Sequence, residues 1–474
     1  MAEIKTEDQK RKEKAEAFSN GNTFGLIVKF SIPTIIGMMV NALYTVIDRA
    51  FAGHIPGVGD LCIAAITITM PVTILIFAIA MLAGAGGGAN ISLSLGRGKP
   101  LLAEKYIGNG IVMGGVFGIA AAVIFYIFCE PLLIGLNSLK PEDMAIIPYA
   151  VTYLRIMLIG AMINTVGFCF NRYILAQGFT MLSMMTNIIS VVVNIILAPL
   201  FLFVFHWGIA GAAYATAIAQ TVAAVWSFSC FLTKRVHLRL RLKNFRPDLK
   251  ILKGIIFIGV APMLIQICMA TVQVSVNNVL AIYGDENAIA AMGIVLSLVN
   301  LLLMPIYGIN QGSQPIIGFN YGAKLFHRVK KLLQQAILLS LCVMFVIWAL
   351  VMIFAGPIAW IFAGTTTQEL LNETVIAMRL DFMVIPIAAI QLMTTTYFQT
   401  IGHPLKSVAM TLLRQIIIFI PVVIILPRFF GLYSVYASGA VADFLAAVIC
   451  SVFLIFELKR LDVKIKEREM LLEA

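Results

Sequence analysis

The sequence predicts an all-α polytopic membrane protein, in which about twelve transmembrane helices form two parallel six-helix lobes around a central cleft. Three observations support this prediction: long apolar runs, an internal repeat that stays in frame, and basic residues confined to loops. Hydrophobic residues make up 61% of the 474-residue chain and charged residues 12%. Soluble domains are about half apolar and about a quarter charged. This composition therefore places most of the chain in lipid.

The apolar runs predict helices and not barrel strands. Runs such as 111–128, 188–205 and 335–355 approach the ~20 residues that a helix needs to cross the hydrocarbon layer. Lipid offers no hydrogen-bond partner, so only helices and closed barrels can span it. Strands of membrane barrels alternate polar and apolar residues over about 10 positions. These runs are apolar throughout, which excludes a barrel.

Basic residues predict the orientation of the spans. The loop 51–60 contains His54 as its only basic residue, and the loop 284–287 reads Gly-Asp-Glu-Asn. The segment 234–253, in contrast, contains eight Lys or Arg residues and one Asp. Cytoplasmic loops carry the excess of Lys and Arg, so both termini are expected in the cytoplasm. The net charge of +11 therefore indicates contact with membrane lipids at these loops, and no nucleic-acid partner is expected.

An internal repeat divides the chain into halves. Asp48 follows Pro33 by fifteen residues, and Asn277 follows Pro262 by the same interval. An offset of 224 further aligns Arg155 with Arg379 and Gly178 with Gly402. Six spans in each half return the chain to the same side, so the repeats are parallel and a cleft between them is expected.

The repeat also predicts the domain boundaries. We expect, in order, a cytoplasmic N-terminal tail, an N-terminal lobe, a basic cytoplasmic linker, a C-terminal lobe and a cytoplasmic C-terminal tail. Their ranges are 1–20, 21–233, 234–251, 252–457 and 458–474.

Several short motifs, in this order and spacing, resemble the multidrug and toxic compound extrusion (MATE) family, most closely its MepA-type bacterial branch. The resemblance covers roughly residues 24–457. The motifs are Pro33 with Leu43-Tyr44-Thr45-Val46-Ile47-Asp48-Arg49, Gly96-Arg97-Gly98, Ala176-Gln177-Gly178, Asn194-Ile195-Ile196-Leu197 with Pro199, and Gly208-Ile209-Ala210-Gly211-Ala212-Ala213.

The resemblance implies a secondary active transporter and not an enzyme. A MATE transporter would export amphipathic, often cationic organic compounds by antiport with H⁺ or Na⁺ through alternating access. It would be a multi-pass protein of the bacterial inner (plasma) membrane. We expect a monomer that needs no cofactor. A lipid-linked oligosaccharide flippase of the same superfamily is the alternative, although the candidate cleft faces lack the basic residues that such a headgroup favours.

Asp48 is the leading candidate for cation coupling, because carboxylates inside apolar spans are costly and usually functional. Asn41, Tyr44 and Asp48 share one helical face. The family pattern adds Asn194 of the fifth span and Thr216 of the sixth as oxygen ligands. A structural alternative is that Asp48 pairs with an arginine or caps a helix.

Position 198 departs from the family pattern. The family usually has Asn-x-x-x-Asp-Pro where this chain has Asn194 and Ala198 before Pro199. A Na⁺ site needs several oxygens and usually more negative charge, whereas proton binding needs one carboxylate. H⁺ is therefore favoured, and no metal is expected beyond a Na⁺ at this coupling site.

The second half offers fewer ionisable candidates. Gln273 and Asn277 occupy the positions matching Tyr44 and Asp48, and with Asn41 and Tyr44 they are candidates for lining the substrate cleft. Arg379 and Asp381 are expected to form an interfacial ion pair. Asp443 remains a candidate second coupling acid. The glycine-rich run 84–89 is expected to serve close helix packing, because it lacks the ending of a phosphate-binding loop.

Overall fold

The computed structural model describes residues 7–53, 55, 58–137, 141–284, 286–363 and 368–473. Within these ranges the chain is helical and contains no strand. The α-helices are α1 (Glu7–Asn20), α2 (Thr23–Gly53), α3 (Gly59–Gly96), α4 (Pro100–Ile127), α5 (Cys129–Asn137), α6 (Ile147–Ala176), α7 (Thr180–Pro199), α8 (Gly208–Leu232), α9 (Leu249–Tyr283), α10 (Glu286–Leu302), α11 (Met304–Gly322), α12 (Phe326–Ile353), α13 (Ala355–Ala363), α14 (Gln368–Asp381), α15 (Ile385–Thr400), α16 (Pro404–Leu412), α17 (Ile420–Ile425), α18 (Pro427–Phe430) and α19 (Leu432–Glu473).

Twelve helical segments of the described ranges are long and apolar enough to cross a membrane, which confirms the predicted number of spans. Some spans combine two helices. The tenth joins α14 and α15 through a 3-10 turn, and the eleventh contains a π-helical stretch at Leu413–Phe419. Such π-helical insertions often occur at functional sites.

The chain forms two compact units whose boundaries differ from those of the two sequence repeats. The first unit contains Ile36–Gln266, and the second contains Phe18–Ile35 and Ile267–Ala474. The beginning of α2 therefore belongs to the second unit, and the beginning of α9 belongs to the first. The repeat-based boundaries had assigned these two segments to the opposite lobes.

In the first unit, glycines allow α3 and α9 to cross closely. A side chain at Gly86 would meet the Ile255 carbonyl oxygen, and one at Gly259 would overlap the Leu82 carbonyl oxygen. The absence of side chains lets the two backbones touch. The glycine-rich run thus serves helix packing, as predicted.

The second unit repeats this crossing between α11 and the beginning of α2. Gly308 lies against Ile35 and Gly312 against Phe30. The Thr34 hydroxyl donates a hydrogen bond of 2.6 Å to the Gly308 carbonyl oxygen. Small residues with such interhelical hydrogen bonds are the usual basis of helix association in membranes.

The segments that precede α2 and α9 are also attached to their units. In the first unit, buried Glu104 accepts the Arg239 backbone N–H at 3.2 Å and forms an ion pair with Arg241 at 2.7 Å. In the second unit, Arg328 donates to the Gly21 carbonyl oxygen at 2.6 Å. Glu104 and Arg328 are 224 residues apart, so the repeat places both anchors at equivalent positions.

We expect Gly259→Ala to destabilise the first unit, because its methyl group would overlap the Leu82 carbonyl oxygen. Overpacking of this kind costs about 1–3 kcal/mol. Thermal unfolding of the purified protein in detergent would measure the change. Gly115→Ala is the matched control, because its methyl group would meet only Val166 Cγ2 at 3.6 Å. Equal melting temperatures for the two variants would contradict the close crossing.

Candidate functional site

The leading candidate site lies in the first unit, where α2 brings Asp48 and Tyr44 together. The two residues are four positions apart, so they lie on one face of the helix. Asp48 is buried, with 8% of its surface exposed, and its carboxylate interacts electrostatically with the Tyr44 hydroxyl. The Tyr44 hydroxyl lies 3.1 Å from the Thr216 hydroxyl of α8. A buried acid is thus connected to a polar residue of a second span.

A third span completes this group. Asn194 of α7 donates its side-chain N–H to Thr216 Oγ1 at 3.1 Å. Asn194 is fully buried, and within the described part of the chain its Oδ1 accepts no hydrogen bond. We call Asp48, Tyr44, Asn194 and Thr216 the coupling cluster. Its carboxylate, amide and hydroxyl oxygens can bind a proton or a hard cation.

Ala198 lies one turn beyond Asn194 and adds no charge to the cluster. It is completely buried and belongs to an apolar core that includes Phe201, Ala212 and Ala213. Apolar packing fills the position where the family pattern has a carboxylate. Across the described ranges, no group of three or more His, Cys, Asp or Glu side chains could hold a metal ion.

A cavity of about 290 Å³ lies inside the first unit, between α3, α6 and α8. Its wall is mostly apolar and aromatic, and Phe77 and Phe168 meet edge to face with ring centroids 5.2 Å apart. The polar lining residues are Thr73, Asn164, Thr165 and Gln220. Gln220 lies one turn along α8 from Thr216, so the cavity is next to the coupling cluster. Sequence reasoning did not identify Phe77, Asn164 or Phe168.

The substrate-cleft candidates lie in different units. Asn41 is exposed on the part of α2 that belongs to the first unit, and Gln273 is exposed on the part of α9 that belongs to the second. The side chain of Asn277 lies outside the described residues. Their role in substrate binding stays a prediction, as does that of Tyr44.

The second unit contains a group of charges on three spans, of which Asp443 is buried and Arg414 and Asp381 are partly buried. Arg414, in the π-helical stretch, pairs with Asp443 of α19 at 2.5 Å. Asp381 interacts electrostatically with both, and Tyr307 with the same pair. We call Arg414, Asp443 and Asp381 the second-unit charge cluster. Two carboxylates here share one guanidinium.

The expected ion pair between Arg379 and Asp381 is wrong. No ion pair links these two residues, both of which are described, and Arg379 is exposed. Side chains two positions apart on a helix do not face each other. Asp381 therefore points towards Arg414 and Asp443 while Arg379 points away from them.

Comparison with known proteins places the chain in a family. The MatE family model matches residues 33–200 and again residues 262–425, which confirms the internal repeat. The multidrug export protein MepA of Staphylococcus aureus (strain MSSA476) is 27% identical over 451 residues, covering 95% of this chain and 97% of that protein. MepA of Staphylococcus haemolyticus (strain JCSC1435) is 27% identical over 443 residues, covering 93% and 95%.

Solved structures show the same fold. A transporter of the MOP superfamily from Pyrococcus furiosus has a TM-score of 0.88 at 23% identity, covering 95% of this chain and 99% of that one. The outward-facing conformation of a multidrug resistance MATE family transporter has a TM-score of 0.88 at 24% identity, covering 94% and 98%. With twelve apolar helices and two matches to one family model, the chain belongs to the MatE family and is a multi-pass membrane transporter, not an enzyme.

Proposed function

We propose that this transporter exports amphipathic, often cationic organic compounds by antiport with H⁺, with Na⁺ as the alternative coupling ion. The coupling cluster is the observation that carries the proposal. A buried carboxylate at Asp48 lies beside the Tyr44 hydroxyl, and Thr216 joins that hydroxyl to Asn194. The relatives named multidrug export proteins support an organic substrate.

Asp48 would bind and release the coupling ion. Burial of a carboxylate favours proton binding, because desolvation disfavours its charged form. Na⁺ would need more oxygen ligands and is better held when more negative charge is near. Ala198 supplies neither an oxygen nor a charge, and this favours H⁺. Tyr44, Thr216 and Asn194 would hold the carboxylate in place and offer neutral oxygens.

A pH gradient suffices to drive such export. Exchange of one H⁺ for a monovalent organic cation moves no net charge, so the pH difference supplies the free energy and the membrane potential does not. A pH difference of about 1.7 units releases about 2.3 kcal/mol per proton, which corresponds to a substrate gradient of about fiftyfold. The basic loops predict that both termini lie on the cytoplasmic side.

The flippase alternative is not favoured. The matching family model and the MepA relatives belong to multidrug transporters. The coupling cluster carries an acid and neutral groups, whereas an anionic lipid headgroup would be held better by basic residues.

Transport by purified protein in liposomes tests the proposal. Ethidium movement would be followed under an imposed pH gradient, under an imposed Na⁺ gradient, and with neither. We expect the pH gradient to drive ethidium against its own concentration gradient. A pH difference of about 1.7 units should sustain an ethidium ratio of up to about fiftyfold. Ethidium accumulation under Na⁺ alone would assign Na⁺ as the coupling ion. If neither the pH gradient nor the Na⁺ gradient drives ethidium accumulation, antiport with these ions is contradicted.

A further inference from the structure

Arg155 of α6 is an exposed cation on an apolar surface of the first unit. Within the described ranges its side chain forms no ion pair and no hydrogen bond. Its guanidinium carbon lies over the Tyr126 ring of α4, 5.4 Å from the centroid. Ile159 and Ile163, one and two turns further along α6, are 57% and 47% exposed. Charged side chains within membrane spans are costly and are usually retained for function.

The position of Arg155 along its helix directs the guanidinium to the lipid headgroups. α6 contains 30 residues and is therefore about 45 Å long, whereas the hydrocarbon layer is about 30 Å thick. Arg155 lies eight residues after the beginning of α6, a distance of about 12 Å. Helical side chains point towards the N-terminus of their helix, and Tyr126 is the penultimate residue of α4. The guanidinium thus extends towards the end of both spans that lies opposite the loop between α3 and α4.

An acid lies near this arginine but does not pair with it. Glu130 is exposed in the first turn of α5, four residues after Tyr126. Arg155 and Glu130 both interact electrostatically with Cys129. Both residues are described, and no ion pair joins them. The surface therefore presents a cation, an anion and an aromatic ring next to one another, and neither charge is neutralised by the other.

We propose that this surface binds the zwitterionic headgroup of phosphatidylethanolamine, with the phosphate on Arg155 and the ammonium on Glu130. The planar guanidinium matches two phosphate oxygens in a two-point hydrogen-bonded pair. A primary ammonium donates hydrogen bonds to a carboxylate, which a quaternary ammonium cannot do. Tyrosine is enriched at the level of the headgroups, where Tyr126 would contact the glycerol region. The acyl chains would then lie along the exposed Ile159 and Ile163 side chains.

Native mass spectrometry of the purified, delipidated protein in detergent tests this site. Dioctanoyl phosphatidylethanolamine is compared with dioctanoyl phosphatidylcholine, which has the same phosphate but no N–H donor. We expect the ethanolamine lipid to bind about fivefold more tightly, as one exposed ion pair provides. In Glu130→Gln this ratio should fall to about one. In Arg155→Met both lipids should bind about tenfold more weakly, because the two-point pair is lost.

Arg379→Met is the matched control for the arginine. Arg379 occupies the equivalent position in the second half of the repeat and is also exposed, but it stacks on no aromatic ring of the described chain. We expect its removal to leave the affinity for both lipids unchanged. If Arg155→Met binds both lipids as tightly as Arg379→Met does, the proposed site is wrong.

The ratio between the two lipids decides the assignment of the headgroup. A ratio near one in the unmodified protein, or a ratio unchanged in Glu130→Gln, would overturn it. Inorganic phosphate in large excess should not displace the lipid, because it has no acyl chains; displacement would mean that the site binds a free anion and would also overturn the proposal. Should Arg155→Met fail to fold, Arg155→Lys provides the test, since it keeps the charge and loses the planar fork. An intermediate affinity is then expected, and the affinity of the unmodified protein counts against the proposal.

Discussion

Asp48→Asn should abolish ion-driven export while leaving the protein folded. Asparagine keeps the size of the side chain and its hydrogen bonding, but it neither binds a proton at neutral pH nor carries a charge. Under a pH difference of about 1.7 units, the accumulation ratio of ethidium should therefore fall from as much as about fiftyfold to about one. Ethidium transport in liposomes, with the melting temperature as a folding check, measures this.

Asp462→Asn is the control for that substitution. Asp462 of α19 pairs with Lys330 at 2.6 Å, and its side chain is 47% exposed, so it removes one carboxylate outside the coupling cluster. We expect its accumulation ratio to match that of the unmodified protein. Full accumulation in Asp48→Asn would remove Asp48 from the coupling mechanism. It would favour Asp443 of the second-unit charge cluster as the coupling acid.

Arg414→Met should strongly destabilise the second unit. Arg414 is the basic partner of Asp443 and interacts with Asp381, so its loss leaves the buried Asp443 and the partly buried Asp381 without their counter-charge. Breaking a buried ion pair by removing one partner costs about 3–5 kcal/mol. For a unit of this size, that corresponds to a fall in melting temperature of roughly 6–20 °C.

Two further variants separate lost charge balance from lost packing. In Arg414→Met/Asp443→Leu the unpaired Asp443 carboxylate is also removed, and part of the melting temperature should return. Arg428→Met is the control, because Arg428 is an exposed arginine of the same span. If Arg414→Met melts no lower than Arg428→Met, the charge cluster does not stabilise the second unit.

The sequence predicted the helices and the repeat, because hydropathy and spacing report directly on both. It could not predict that the beginnings of α2 and α9 belong to the opposite units. An apolar run has the same composition whichever neighbour it packs against. Contacts such as that of Gly259 with Leu82 determine which helix each segment packs against. Such contacts depend on how the surfaces of two helices fit together, which the hydrophobic periodicity of the sequence does not report.

The coupling cluster was predictable because two sources agreed. Helical spacing put Tyr44 and Asp48 on one face, and the family resemblance added Asn194 and Thr216. The structure brings these polar groups together. Their function stays a prediction.

The wrong prediction about charged residues has a simple cause. Arg379 and Asp381 were paired because they are neighbours in sequence, although side chains two positions apart diverge on a helix. Charge inside a span has to be interpreted by helical face and not by sequence proximity.

The most direct test of the central claim measures coupling in reverse. In liposomes with equal pH inside and outside, an outward ethidium gradient should drive protons inward, and the lumen should acidify. H⁺ antiport through Asp48 predicts acidification with the unmodified protein and with Asp462→Asn, and none with Asp48→Asn. Ethidium leaving the liposomes without any proton movement, or equal acidification with Asp48→Asn, would contradict H⁺ antiport through Asp48.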